Sequence, residues 1–452
     1  MAQVYPFRAF RYNPDAAHAP FERLLTQPYD KISPAMQDQY YAADPHNLIQ
    51  VEKGRAFPGD APENNVYTRA AAALQAWIAE SIVAQDAAAA FYGYTQEYTV
   101  PGTKERKTRR GFIGAGKLEE YSAGVIFRHE NTLSGPKVDR LQTLRHTRTH
   151  VGQLFMLYSD AERSVDKILQ SAEGSASPVT QMQDEYGVIH RLWMFAQQEI
   201  VKAIAEAMAS QKLVIADGHH RYETALNYRN ECRMRAGKII PDAPYERAMM
   251  TFVNTRSEGL TILPTHRVAA HLHDFHWPEV RRHLEPWFTA EEFLFHDEHS
   301  KLAARQKFLA RLTEGRGRRA IGAYPAAESG HRAFYVLFLR EGADLARLLP
   351  GVSQLQRELD VVLLHEGILE PALGITAQSL VAEANLTYER EAGVALDAVD
   401  QGEAQIAFLL NACDVEQVVK IATSGEVMPQ KSTDFFPKLL SGITMYRVDG
   451  SV

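Results

Sequence analysis

The sequence predicts a mixed α/β protein of the α+β class, and three observations carry that expectation. Apolar runs of strand length alternate with stretches of helical periodicity along most of the chain. At 452 residues the chain exceeds what one compact core accommodates, so more than one domain is expected. Residues 212–222 read as an apolar strand that ends in Asp217-Gly218 and opens directly into a helix, the kind of junction on which α/β proteins place ligands.

Taken in order, residues 4–10 open the chain as a strand, and Pro28-Tyr29-Asp30 forms a turn. A helix starts at Ser33-Pro34, where serine caps and proline pre-sets the first turn. Residues 47–52 suggest a strand, and the alanine-rich stretch 65–84 an amphipathic helix. Residues 91–100 and 110–118 bracket the basic segment 104–110 as a hairpin whose charged tip faces solvent. Strands follow at 154–158 and 187–194, separated by a Ser/Ala/Gly-rich loop around 171–177, and then a helix at 197–209. Past Thr265-His266-Arg267 the character changes. Residues 271–292 are rich in His, Trp and charge, 301–312 are helical, and 320–323 with 333–339 form a strand pair. Helices at 359–369, 389–399 and 415–423, a buried strand at 404–410 and a closing strand at 442–448 complete the pattern. These elements divide the chain at about residue 270, into domains 1–270 and 271–452.

Composition narrows the function classes. A formal net charge of -7 argues against a general nucleic-acid binder, which needs a basic face to displace counterions. The two cysteines, Cys232 and Cys413, lie far apart and outside any metal-type spacing, which excludes a disulfide scaffold and a structural zinc site. Residues 1–10 lack the regions of a signal peptide, and no apolar stretch is long enough to cross a bilayer. A cytoplasmic protein without a membrane partner is expected.

The junction at residue 217 concentrates phosphate-binding chemistry. A helix start presents unpaired N–H groups beside a positive dipole end, and Gly218 permits the tight turn and a close ligand approach. His219, His220 and Arg221 add side-chain donors there, with Glu223 one turn beyond His219 on the same face. Standing at a mouth, Arg221 is expected to matter for ligand binding and little for stability.

Four further segments are dense in reactive groups. Arg128-His129-Glu130-Asn131-Thr132 precedes Lys137, Asp139 and Arg140, a set able to meet one anionic substrate or simply to neutralise itself in solvent. Asp30 and Glu52 each end a short element beside a lysine, either as a general base or as half of a surface pair. His266-Arg267 repeats the His-Arg pairing at a strand end. The loop 428–438 places Lys431, Ser432 and Thr433 beside paired aromatics without a glycine-rich cradle, so it serves an anion or packs the loop down. His129-Glu130, His219-His220 and His365-Glu366 lack the HExxH spacing, and no metal ligands are assigned.

The combination of Tyr5-Pro6-Phe7-Arg8, Pro28-Tyr29-Asp30, residues 47–52, His129-Glu130 with Lys137 and Arg140, residues 217–222, Leu263-Pro264-Thr265-His266-Arg267 and residues 428–438 resembles the prokaryotic domain-of-unknown-function family 1015. Asp217-Gly218-His219-His220-Arg221 is also similar to the phosphate-binding motif of the ParB and sulfiredoxin superfamily, which includes kinases of free serine. That likeness implies a ParB/sulfiredoxin-like core. It also implies Gly218, His219, His220 and Arg221 on phosphate, Asp217 on a metal or the amino acid, and an upstream carboxylate as base, Glu52 before Asp30. The chain departs from the superfamily's other branches. It lacks a helix-turn-helix module and a basic balance, against chromosome partition, and it lacks the sulfiredoxin cysteine, against sulfur repair.

Together these readings imply phosphoryl transfer between a nucleotide, ATP or ADP with Mg2+, and a small hydroxy amino acid, L-serine or O-phosphoserine. Kinase and phosphatase directions both stay open. The site set is Glu52, Asp30, His129 and Glu130 for catalysis, and Asp217 to Arg221 for phosphate. Arg140, Lys137, His266, Arg267, Lys431, Ser432 and Thr433 are assigned to substrate. A nucleotide-binding regulator or scaffold without turnover, and a hydrolase of another phosphoester, are the alternatives.

Overall fold

The computed structural model describes residues 1–130, 134–328, 330–376 and 385–449; Asn131 and Thr132 lie outside them. The chain is a mixed α/β protein in two compact units, Met1–Thr261 with Phe435–Val452, and Ile262–Asp434. The expected division at residue 270 thus falls inside the second unit, and the return of the C-terminal segment to the first has no counterpart in local composition.

The first unit is built on a nine-stranded sheet. Its order is Ile126–Phe127, Leu213–Asp217, Leu154–Tyr158, Arg247–Asn254, Arg106–Lys117, Phe91–Thr99, Ile189–Phe195 and Thr180–Gln183, with Val4–Tyr5 also pairing with Arg106–Lys117. Helices Ser164–Gly174, Gln198–Met208 and His219–Ala236 bury Leu169, Ile204, Met208, Tyr222 and Leu226 against Phe112, Met156, Ile215 and Phe252. Because strand side chains alternate, the residues between these point the other way. There Gln96 stands opposite Arg109, the Arg109 guanidinium lies 4.6 Å over the Phe155 ring, and Phe435 of the C-terminal segment packs edge-on against Phe155. That second face is buried yet partly polar, and it carries the candidate site.

The second unit holds a six-stranded sheet in the order Phe288–Leu294, Ala333–Leu339, Ala320–Pro325, Ile406–Leu410, His266–Ala269 and Leu386–Glu389, antiparallel throughout. Helices Glu298–Glu314 and Ala392–Asp400 pack Phe308, Leu312, Leu396 and Val399 against Phe334, Val336 and Leu409. Among the described residues no helix is long and apolar enough to cross a membrane.

Several local expectations change. Residues 47–52 do not form a strand. The Asn47 carboxamide accepts from the Ile49 N–H at 2.9 Å and starts a helical turn, Ile49–Glu52, that buries Ile49 and Val51. An Asx turn thereby overrides the β-branched composition. The Ser/Ala/Gly-rich stretch at 171–177 is helical through Gly174, because Val165, Leu169 and Ala172 repeat at helical spacing and are buried. The helix expected over 65–84 runs Val66–Ala79, closed at its start by a reciprocal Asn65–Thr68 cap, and is followed by the strand Val83–Gln85. The closing strand contracts to Tyr446–Arg447.

Candidate functional site

The site assembles where the strand Leu213–Asp217 meets the helix His219–Ala236. Gly218 links them at φ 92°, a left-handed conformation that favours glycine. The strand's register against Leu154–Tyr158 shifts between Ile215 and Asp217, so that Ile215 pairs with Met156 but Asp217 with Phe155. One extra residue turns the Asp217 carboxylate to the face occupied by Phe155. There it lies 3.7 Å from Lys438 Nζ and 3.6 Å from Arg221 Nη2. Burial alone would raise this carboxyl, but Lys438, Arg221 and Lys31 hold it well below the usual range.

Arg221 is an internal cation, its side chain 13% exposed. Its Nη1 donates to the Gln153 carbonyl, and its buried Nε has no hydrogen-bond partner among the described residues. Burial disfavours the charge, but Asp217, Asp30, Tyr29 and Glu52 more than compensate and raise the guanidinium above its ordinary value. A Cβ on Gly152 would come within 3.1 Å of Ser441 Oγ, 3.2 Å of Arg221 Nη1 and 3.4 Å of Glu52 Oε1. The absence of a side chain at 152 is what lets these three groups converge.

Glu52 is 2% exposed and does not form the surface pair with Lys53 that its sequence neighbourhood allows. Lys53 Nζ instead donates to the carbonyls of Tyr29 at 3.1 Å and Ile32 at 2.6 Å. Glu52 Oε1 accepts from the Tyr29 N–H at 3.0 Å and from Ser441 Oγ at 2.8 Å. Arg140 Nη1 donates to the Glu52 carbonyl at 2.7 Å and stands 3.8 Å from Oε2, and its guanidinium lies 4.3 Å over the Tyr29 ring. Asp30 is exposed on the neighbouring turn Tyr29–Lys31 and contributes to the field at Arg221.

Two of the expected histidines stand together at the junction. His129 is fully buried; burial lowers it to about 4, and its Nδ1 meets the Ile215 carbonyl at 2.7 Å. His219 is buried against it, ring centroids 4.7 Å apart, and is held well below its ordinary value by burial and by His129. Burial thus disfavours charge on both rings, and the cations that act on Asp217 are led by Lys438, Arg221 and Lys31. His220 and Glu130 are half-buried. Lys137 pairs with Glu223, which Arg128 also approaches at 3.9 Å, so the Lys137 charge is met within the protein.

The remaining expected residues belong to the second unit. His266 and Arg267 are buried: His266 Nδ1 accepts the Leu410 N–H at 3.2 Å, while Arg267 donates to His365 Nε2 and to the carbonyls of Thr265 and Lys431. Both side chains are thus hydrogen-bonded within the second unit. Ser432 donates to the Pro429 carbonyl at 2.5 Å, Thr433 is half-buried, and Lys431 is exposed. Sequence reasoning passed over Ser441, Gly152, Gln153 and the role of Lys438. Lys438 stands at the end of the loop that drew attention, whereas Ser441 in Leu-Leu-Ser-Gly gives no local signal.

The donor set does not fit a resident metal centre. Among the described residues no three His, Cys, Asp or Glu side chains could hold an ion together, and Asp217 already faces two cations.

For the phosphate ligand that the sequence reading assigns to this junction, with ADP as the probe, Arg221→Ala is expected to weaken binding about tenfold or more, since charge-assisted hydrogen bonds are worth roughly 1.5–3 kcal/mol. Contrary to the expectation for a residue at a mouth, it should also cost about 1–3 kcal/mol of stability, because the Gln153 carbonyl and Asp217 lose a buried partner. Titration calorimetry and urea denaturation read the two effects. Unchanged affinity in a folded variant would remove Arg221 from the site.

Comparison with known proteins places this geometry in context. No curated protein matches the chain. A conserved hypothetical protein from Pyrococcus furiosus is similar at 14% identity and TM-score 0.31, over 69% of this chain and 87% of that one. A free serine kinase in complex with AMP is similar at 12% identity and TM-score 0.33, over 72% and 88%. SbnI with C-terminal truncation from Staphylococcus aureus is similar at 11% identity and TM-score 0.33, over 73% and 85%. One family model matches residues 4–362, well over half of the sequence, and the chain therefore belongs to the family described as "Protein of unknown function (DUF1015)".

Proposed function

We propose that the first unit transfers a phosphoryl group between an adenine nucleotide and a small hydroxy amino acid, L-serine or O-phosphoserine, in either direction. The observation that carries this reading is the convergence at Gly152 of a buried carboxylate, Glu52, with a buried guanidinium, Arg221, that itself opens a helix. Phosphoryl transfer needs cations and N–H donors on the moving group and a carboxylate for the hydroxyl proton. Arg221 and the first N–H groups of the helix His219–Ala236 supply the donors, in the manner of the phosphate motif of the ParB and sulfiredoxin superfamily. Glu52 takes the proton from the attacking hydroxyl as the new P–O bond forms and the nucleotide's terminal P–O bond breaks; in reverse it returns the proton. Magnesium enters as the ion carried on the nucleotide phosphates, as part of the substrate.

The test incubates the purified protein with ATP or ADP, magnesium and a panel of amino acids, and follows products by phosphorus NMR and mass spectrometry. Phosphoserine with matching nucleotide conversion is the expected result. Nucleotide binding without conversion against every acceptor replaces the reading with a sensor, and phosphate release without nucleotide replaces it with a hydrolase.

A further inference from the structure

The C-terminal segment that returns to the first unit is fastened to the sheet by side chains aimed at its backbone. Arg109 donates to the carbonyls of Phe436 at 3.2 Å and Pro437 at 2.5 Å, Gln96 to that of Lys438 at 2.7 Å, and Gln153 to that of Leu440 at 3.0 Å. The Gly442 N–H donates to the Val151 carbonyl at 2.8 Å. Arg109 is only 1% exposed, and its guanidinium donates to these carbonyls and to the Gln96 carboxamide, none of them a carboxylate. Burying a guanidinium on carbonyls alone is costly, and here it fixes the path of a few residues. Between these fastenings the segment delivers two side chains, Lys438 to Asp217 and the fully buried Ser441 to Glu52. Gln153 joins both ends of the arrangement, since its carboxamide holds Leu440 and its carbonyl accepts from Arg221.

Two donors meet Glu52 Oε1, the Tyr29 N–H and the Ser441 hydroxyl, and together they occupy its lone pairs. Oε2 lies 3.8 Å from Arg140 Nη1, beyond hydrogen-bond distance, and the Arg140 donors are engaged by the Glu52 carbonyl and Asp139. We infer that Ser441 is a positioning residue for the proposed phosphoryl transfer: with Tyr29 it fixes Oε1 and leaves Oε2 as the oxygen that takes the substrate's hydroxyl proton. This rests on the reading of Glu52 as the base. It goes beyond that reading by making the C-terminal segment, which lies outside the residues 4–362 matched by the family model, part of the working site.

The test compares full-length wild type, Glu52→Gln, Ser441→Ala and Ser441→Thr for turnover of nucleotide with serine, alongside thermal melting. A misplacement of about 1 Å costs on the order of a hundredfold in rate, so Ser441→Ala should lower kcat about ten- to a hundredfold with nucleotide KM within about twofold. Ser441→Thr, which keeps the hydroxyl, should regain most of it. If Glu52→Gln is inactive but a folded Ser441→Ala keeps wild-type kcat, the inference falls and the reading stands. A Ser441→Ala protein that does not fold assigns the hydroxyl to stability and also overturns it. A wild type that converts no nucleotide overturns reading and inference together.

Discussion

Glu52→Gln is expected to lower phosphoryl transfer by about 10² to 10⁴ while leaving nucleotide affinity nearly intact, the range associated with loss of a general base. Glutamine keeps an oxygen for the Tyr29 N–H and Ser441 hydroxyl that meet Oε1, so the local framework survives. What is lost is the charge beside Arg140 and the capacity to accept a proton. Asp30→Asn provides the comparison. Asp30 is exposed and reaches Arg221 only through its field, so its amide should change turnover by less than tenfold. Full turnover in Glu52→Gln would sink the assignment and pass the test to Asp30 and the His129-Glu130 pair.

Acid is expected to destabilise the second unit steeply between about pH 6.5 and pH 4. Burial lowers His266 to about 4 and His365 to about 3, with Arg267 reinforcing both. Each acts as an acceptor: His266 Nδ1 takes the Leu410 N–H, and His365 Nε2 takes the Arg267 Nε–H. Protonation at those atoms would break the bond and place a second charge beside a buried guanidinium. The unfolded chain binds these protons near the ordinary value of 6.5 and the folded unit refuses them, so stability is full above 6.5 and falls as pH drops. The slope is about 1.4 kcal/mol per pH unit for each histidine, or roughly 6 kcal/mol for the pair by pH 4. His129 adds about 3 kcal/mol to the same trend in the first unit, because burial holds it at about 4. Urea denaturation from pH 7.5 down to pH 4.5 measures this directly, and a flat profile would show that these histidines accept protons in the folded state.

The backbone of the candidate site was legible because it is local. A strand ending in Asp217-Gly218 before a helix start is a run of consecutive residues, and the structure places the strand, the left-handed glycine and the helix there. The hairpin of Phe91–Thr99 with Arg106–Lys117 and the capped helix Pro34–Ala43 were equally plain, since turn chemistry and capping act over a few residues. Arg221 is enclosed rather than at a mouth, which the sequence hides because it shows charge but not enclosure. The burial of His266 and Arg267 is hidden from the sequence for the same reason. Their strand, His266–Ala269, is interior to its sheet, and their donors and acceptors are used there.

By itself, then, the sequence determined the mixed α/β class, the order of most elements and the strand–glycine–helix junction at residues 213–219, because periodicity, caps and turn residues are short-range properties of the backbone. Only the tertiary structure decided which groups meet that junction. A one-residue register shift turned Asp217 toward Lys438. The side-chain-free position at Gly152 admitted Glu52 to Arg221. The C-terminal segment brought Ser441 to Glu52 across 389 positions of sequence. Such contacts depend on sheet register and chain path, which are set by the burial of whole faces rather than by any neighbouring residue.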